Sequence, residues 1–172
     1  RERSSMNDTY NISDFQIDCY AFNEIAGKHN LTALKDIEFQ YKLIAEETKE
    51  IKDKGIDQNN VKETLDGVID TMVTALGLLQ KLEYLGVDVN KAMRDTAENN
   101  LTKYPAKELT AIQTAQKYEE DGIPVTVEYN SDYELFVIKN WNDKVMKPID
   151  FESNDLSNCI PAELLENGFV TE

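Results

Sequence analysis

A chain of 172 residues that is 41% hydrophobic and 30% charged has enough apolar material for a core, which excludes a disordered chain and a disulfide-stapled mini-protein. Asp and Glu number 33 against 18 Lys and Arg, for a formal net charge of -15. That field repels phosphate backbones and anionic lipids, so neither nucleic acid nor a membrane surface is expected as a partner, and an anionic ligand would need cations to bind.

Arg1–Ser5, ahead of Met6, reads as an expression remnant and is set aside from fold reasoning. The first helix is expected over about 13–27, with Ser13 as N-cap and Phe15, Cys19, Phe22 and Ile25 as its apolar stripe. His29, the single histidine, follows Gly27 in a polar connector and reads as a loop residue. A second helix over about 34–54 carries Leu34, Ile37, Tyr41, Ile44, Thr48 and Ile51 at helical spacing. A third over about 60–85 repeats the rhythm with Val61, Leu65, Val68, Met72, Leu76 and Leu79. Gly27, Gly55 and Gly86 are placed to end these helices. A fourth helix covers about 88–102 and stops at Tyr104–Pro105, because proline disfavours a helical predecessor. A fifth runs from Ala106 to about Glu120. The period then becomes two at Val125, Val127 and Tyr129, breaks at Asn130–Asp132, and resumes from Leu135 to Ile138, which predicts a β-hairpin. From Trp141 the pattern predicts an irregular arm with a short helix near 161–166. The division expected is a helical domain over 6–121 and a hairpin-and-tail extension over 122–172. No apolar run approaches the roughly 20 residues of a membrane span, and Cys19 and Cys159 read as free thiols in a reducing cytoplasm. With one histidine and two cysteines, a four-ligand zinc site is not expected.

The second helix carries Glu46, Glu47 and Glu50, and the third carries Glu63, Asp66 and Asp70. At about 100° per residue, Glu47 and Glu50 lie at one edge of their stripe, and Glu63, Asp66 and Asp70 share a sector of roughly 60° beside theirs. Glu46 falls nearly opposite the stripe. Two antiparallel helices packing their stripes would bring these edges around one pocket. Crowded carboxylates need cations or retained protons, and hard oxygen ligands suit Mg²⁺ or Mn²⁺ with a phosphorylated ligand. In a chain this acidic, the same string also describes a solvated face. Gly67 and Gly77 interrupt the third helix, which close helix approach or room for a ligand would each explain.

Three segments in order carry a resemblance: Glu46-Glu47-Thr48-Lys49-Glu50, then Asp66-Gly67-Val68-Ile69-Asp70, then Glu98-Asn99-Asn100-Leu101-Thr102-Lys103-Tyr104-Pro105. Over about residues 15–105 the chain resembles the all-α nucleoside triphosphate pyrophosphohydrolases, the MazG-like superfamily, in its phage and phosphoribosyl-ATP-pyrophosphohydrolase-like branch. The tail resembles an extension of phage members, through Lys144–Pro148 and Asn154–Ser157, with no chemistry assignable to it. The resemblance implies a MazG-like four-helix bundle and hydrolysis of a (d)NTP to its monophosphate and pyrophosphate, in a nucleotide-pool enzyme of the cytoplasm (the host's, if virus-encoded). Glu47, Glu50 and Asp70 would bind Mg²⁺, with Mn²⁺ able to substitute, and Glu63 and Asp66 compete as the fourth ligand. Glu46, and Glu47 beside it, would serve the attacking water. Asp95, Asn100 and Lys103 would meet phosphate or metal-bound water, and Phe15, Phe22 or His29 would stack on or read the base. A homodimer or homotetramer is implied, with Thr71, Thr74, Ala75 and Leu78 at the interface. The competing expectations are dUTPase-like or phosphoribosyl-ATP hydrolysis, and a non-catalytic acidic helical module that binds a protein.

Overall fold

The computed structural model describes residues 9–171, so the segment read as an expression remnant lies outside the described residues. The protein is mainly helical, with one two-stranded antiparallel sheet among the described residues. It divides into two compact units, one formed by the chain up to Val89 with the segment from Cys159, the other by Asn90–Asn158.

The first unit contains α1 (Ile12–Ile25), α2 (Leu34–Glu50), a π-helical turn (Ile51–Ile56), α3 (Val61–Tyr84) and α6 (Ala162–Asn167). The start of α1 is set by Asn11 rather than Ser13. Asn11 Oδ1 accepts from the amides of Ser13 and Asp14, and Asp14 Oδ2 accepts from the Asn11 amide in return. This reciprocal cap satisfies orphan donors and is worth about 1 kcal/mol. Gly27 at φ +65° and Gly86 at φ +91° end α1 and α3 in the left-handed conformation glycine tolerates. Gly55 does not end a helix: it is buried inside the π-helical turn, and the chain reverses at Asn59, φ +48°. Ala33 offers α2 no side-chain cap, and the Leu34 amide instead donates to Val170 O at 2.7 Å.

Much of the helical apolar stripe is not covered by the described residues. On α3, Val61 is 81% exposed and Leu65 63%; on α1, Phe22 is 64% and Ile25 88%. The stripe periodicity is therefore real while its burial is incomplete. Inside the unit, Lys81 is 4% exposed and donates to Lys28 O at 2.6 Å and Leu31 O at 2.7 Å, pinning the α1–α2 connector onto α3. Burial holds its ammonium below the usual lysine range.

The second unit contains most of α4 (Val89–Leu101), then α5 (Glu108–Glu120), β1 (Val125–Asn130) and β2 (Leu135–Asn140). The strands pair with Val127 opposite Ile138 and Asn130 opposite Leu135. Asn130 Oδ1 accepts from the amides of Asp132 and Tyr133, which shapes the reversal. Ile138, Ala111 and Thr114 have no exposed surface and form the centre of this unit. Pro105 is buried, and its carbonyl receives the Phe136 amide at 2.9 Å. No helix among the described residues is long and apolar enough to cross a membrane.

Candidate functional site

The acid-bearing end of α2 runs without a break into the π-helical turn, where the Asp57 amide reaches back five residues to Lys52 O at 2.9 Å. Short π segments inside helices often mark functional sites. Here the turn is pressed onto α3 by two glycines. A Cβ on Gly55 would lie 2.5 Å from Thr64 Oγ1 and 2.9 Å from Thr64 Cα, and one on Gly67 would lie 2.8 Å from Ile51 Cγ1. The absence of both side chains lets the end of α2 approach the start of α3. Gly77 likewise accommodates Gln40, whose Nε2 donates to Thr74 O at 2.8 Å. Close helix approach accounts for both glycines of α3.

This approach puts carboxylates of two helices within each other's field. Glu47 is half-buried, and its carboxyl is pushed above the usual range by burial first, then by the charges of Asp70, Glu50 and Glu46. Lys54, from the π-helical turn, opposes that shift. Its Nζ contacts Glu50 Oε1 at 2.6 Å, and its own pKa is raised by that hydrogen bond and by the charges of Glu50, Glu63 and Glu47. Glu63 is half-buried and receives Lys62 Nζ on Oε1 at 3.0 Å. Asp66 is exposed and acts on Lys62. Glu46 and Asp70 are also exposed.

The donor set is oxygen-only, which suits a hard divalent cation, and two of its members, Glu50 and Glu63, are paired with Lys54 and Lys62. No group of three or more His, Cys, Asp or Glu among the described residues is arranged to hold a metal ion. Binding would therefore require these side chains to turn toward one another.

The remaining sequence-derived residues stand elsewhere. His29 lies edge-on to Tyr84, with ring centroids 5.7 Å apart and Nδ1 buried without a hydrogen-bond partner. Tyr84 is about 21 Å along α3 from Asp70 at 1.5 Å per residue, which separates His29 from the carboxylates. Phe22 is exposed and Phe15 half-buried on α1. Thr74 presents its carbonyl to Gln40, and Thr71 hydroxyl donates to Gly67 O at 2.8 Å; the large exposed apolar side chains of α3 are Val61, Leu65, Val68 and Ile69 in its first half and Tyr84 at its end.

Asp95, Asn100 and Lys103 belong to the second unit. Asp95 pairs with Lys91 and lies 3.9 Å from Arg94 Nε. Lys103 Nζ donates to Asn100 Oδ1 at 2.8 Å.

Sequence reasoning overlooked Lys54 and misassigned Gly55. The signal for Lys54 was present, since it follows Glu50 by four residues on a continuing helix. Gly55 carried none, because a glycine needed for close approach and one ending a helix look alike in sequence. No protein-family model, curated protein or solved structure matches the chain.

Proposed function

We propose that the protein is a divalent-metal-dependent nucleoside triphosphate pyrophosphohydrolase of the MazG-like kind, converting a (d)NTP and water to the (d)NMP and pyrophosphate. The single observation that supports this reading most is the close approach of the acid-bearing end of α2 to α3 at Gly55 and Gly67, where the half-buried Glu47 carboxyl is raised by burial first and then by the charge of Asp70 from the neighbouring helix. Carboxylates held in that relation gain from a shared cation.

In this reading Glu47, Glu50 and Asp70 would hold Mg²⁺ or Mn²⁺, with Glu63 or Asp66 as the fourth ligand. The ion, when bound, supplies neutralisation of the triphosphate and acidification of water. Glu46, on the solvent side of α2, accepts the proton as water oxygen bonds to phosphorus and the anhydride bond to pyrophosphate breaks. Lys54, now paired with Glu50, would give up that contact for Glu50 to act as a ligand. A second copy covering Val61, Leu65 and Val68 completes the helical bundle, in a homodimer or homotetramer.

The test is a panel of nucleoside triphosphates with Mg²⁺ or Mn²⁺, separating release of pyrophosphate from release of orthophosphate. Glu50→Gln and Asp70→Asn each abolish turnover while the helical circular dichroism is unchanged. Turnover retained in both variants removes the ligand assignment, and no pyrophosphate from any triphosphate removes the enzyme reading. A second reading, a non-catalytic acidic module that binds a protein partner, draws support from the exposed apolar stripe of α3. Calorimetric titration with Mn²⁺ separates the two, because a merely solvated face gives no saturable site.

A further inference from the structure

Of the seven glycines in the chain, Gly168 alone follows an asparagine. That dipeptide carries its own chemistry. A glycine has no Cβ to shield its amide nitrogen, which lies within reach of the carbonyl carbon of the preceding asparagine side chain. The fold leaves this pair open. Asn167 is the last residue of α6 and is exposed, and Gly168 follows it in the left-handed region at φ +70°. A Cβ built on Gly168 would meet nothing within 4 Å, so the space on that side of the backbone is free. Among the described residues, the Asn167 side chain makes no hydrogen bond.

Other asparagines differ in one of two ways. Asn11, Asn60, Asn130 and Asn140 each accept a backbone amide on Oδ1, and Asn99 and Asn154 each donate through Nδ2. Asn23, Asn30, Asn59, Asn90 and Asn142 are followed by larger residues, whose Cβ crowds the nitrogen. One restraint stands at Asn167 itself: the Gly168 amide donates to Leu164 O at 2.9 Å. That bond closes a helix of six residues, whose N-cap Pro161 gives no side-chain bond and whose single half-buried residue is Leu164. A helix so short holds its last turn weakly, because nucleation is costly and few contacts support it. Each opening frees the Gly168 nitrogen and the ψ of Asn167 together.

We propose that Asn167 is a site of spontaneous modification, where the backbone converts the asparagine to an isoaspartyl residue and so loosens the start of α2. The Gly168 nitrogen loses its proton to hydroxide and bonds to Asn167 Cγ, and the side-chain nitrogen leaves as ammonia. Water then opens the cyclic imide at either carbonyl, giving aspartate or isoaspartate. The net change is uptake of water and loss of ammonia, with one more negative charge. In isoaspartate the main chain runs through Cβ and is one carbon longer. Three residues on, Val170 O accepts the Leu34 amide at 2.7 Å, at a helix start where Ala33 offers no side-chain cap. The longer main chain shifts that carbonyl off Leu34 and leaves an orphan donor in the first turn of α2. The inference rests on the first unit alone and does not depend on a metal or a nucleotide.

The experiment ages the full chain at neutral and at mildly alkaline pH, with peptide mapping by mass spectrometry at intervals. A gain of one mass unit is expected at Asn167 before any other asparagine, and faster at the higher pH. An isoaspartyl-specific methyltransferase labels the converted fraction. Hydrogen exchange then shows the Leu34 amide exchanging about fivefold faster in that fraction, the loss of one backbone hydrogen bond. Asn167→Gln, whose closure needs a larger ring, keeps its mass and its Leu34 protection throughout. Freshly purified Asn167→Asp carries the new charge on an ordinary main chain and protects Leu34 as the parent does. Conversion of Asn167 no faster than that of Asn130, which precedes Ser131, overturns the reactivity assigned to this site. Equal Leu34 exchange in aged and fresh protein, with isoaspartate present, overturns the link to α2.

Discussion

Replacing Gly55 by alanine tests whether close approach of the π-helical turn to α3 organises the first unit. The new methyl would lie 2.5 Å from Thr64 Oγ1, 2.9 Å from Thr64 Cα and 3.0 Å from the Thr64 nitrogen. Comfortable carbon contacts are about 3.5–4.0 Å, so the overlap falls on backbone as well as side chain. Rotating Thr64 relieves only the first contact. Overpacking of this kind costs about 1–3 kcal/mol. Alanine recovers at most about 1 kcal/mol of helical propensity over glycine. The net expectation is a loss of about 1–2 kcal/mol, read as a lower urea midpoint and a Tm lower by about 2–8 °C for a chain of this size. Adding Thr64→Ala should restore less than half of that loss. It removes the hydroxyl contact but leaves the backbone contacts, and it forfeits the hydrogen bond from Thr64 Oγ1 to Asn60 O at 2.8 Å. A Gly55→Ala protein as stable as the parent would refute the packing argument, and complete rescue by Thr64→Ala would confine it to the hydroxyl.

Three further outcomes follow from the same structure. Glu47 has a raised pKa in the fold, so the native state holds its proton more tightly than the unfolded chain, and its ionisation costs stability as pH rises above the ordinary carboxyl range. Glu47→Gln should therefore stabilise the metal-free protein at pH 7 and have little effect below about pH 4, checked by urea titration at both pH values. Lys81→Met should destabilise by about 1–3 kcal/mol, because the carbonyls of Lys28 and Leu31 lose their donor; an unchanged urea midpoint would dismiss the latch. Light scattering should give a dimer or tetramer for the parent chain and a smaller species for Leu65→Glu, whereas a monomer in both cases would remove the assembly expectation.

The order and type of elements were legible in the sequence because each depends on local spacing. The α3 stripe recurs every three or four residues, the strands alternate around Asn130, and Gly27 and Gly86 take the positive φ that ends their helices. Even the N-cap error was one of two positions, since Ser13 and Asn11 both offer a capping oxygen and only the return bond from Asp14 selects Asn11. The placement of Glu47 and Glu50 at one edge of α2 was equally readable from helical geometry.

Contacts between elements were another matter. Whether Glu47 meets the field of Asp70 depends on how closely two helices approach, and that distance is set by Gly55 and Gly67 against Thr64 and Ile51. Lys54 stands beside Glu50 because the helix continues past Glu50 as a π turn rather than stopping at Gly55. The exposure of Val61 and Leu65 could not be read from a stripe, because periodicity records which face is apolar and not what covers it. The Val170 carbonyl that receives the Leu34 amide comes from a segment far along the chain, and no spacing in the sequence marks it as the partner of α2. Local spacing determines helices and strands because it acts within a few residues; sites and surfaces are products of long-range packing, which only the folded chain decides.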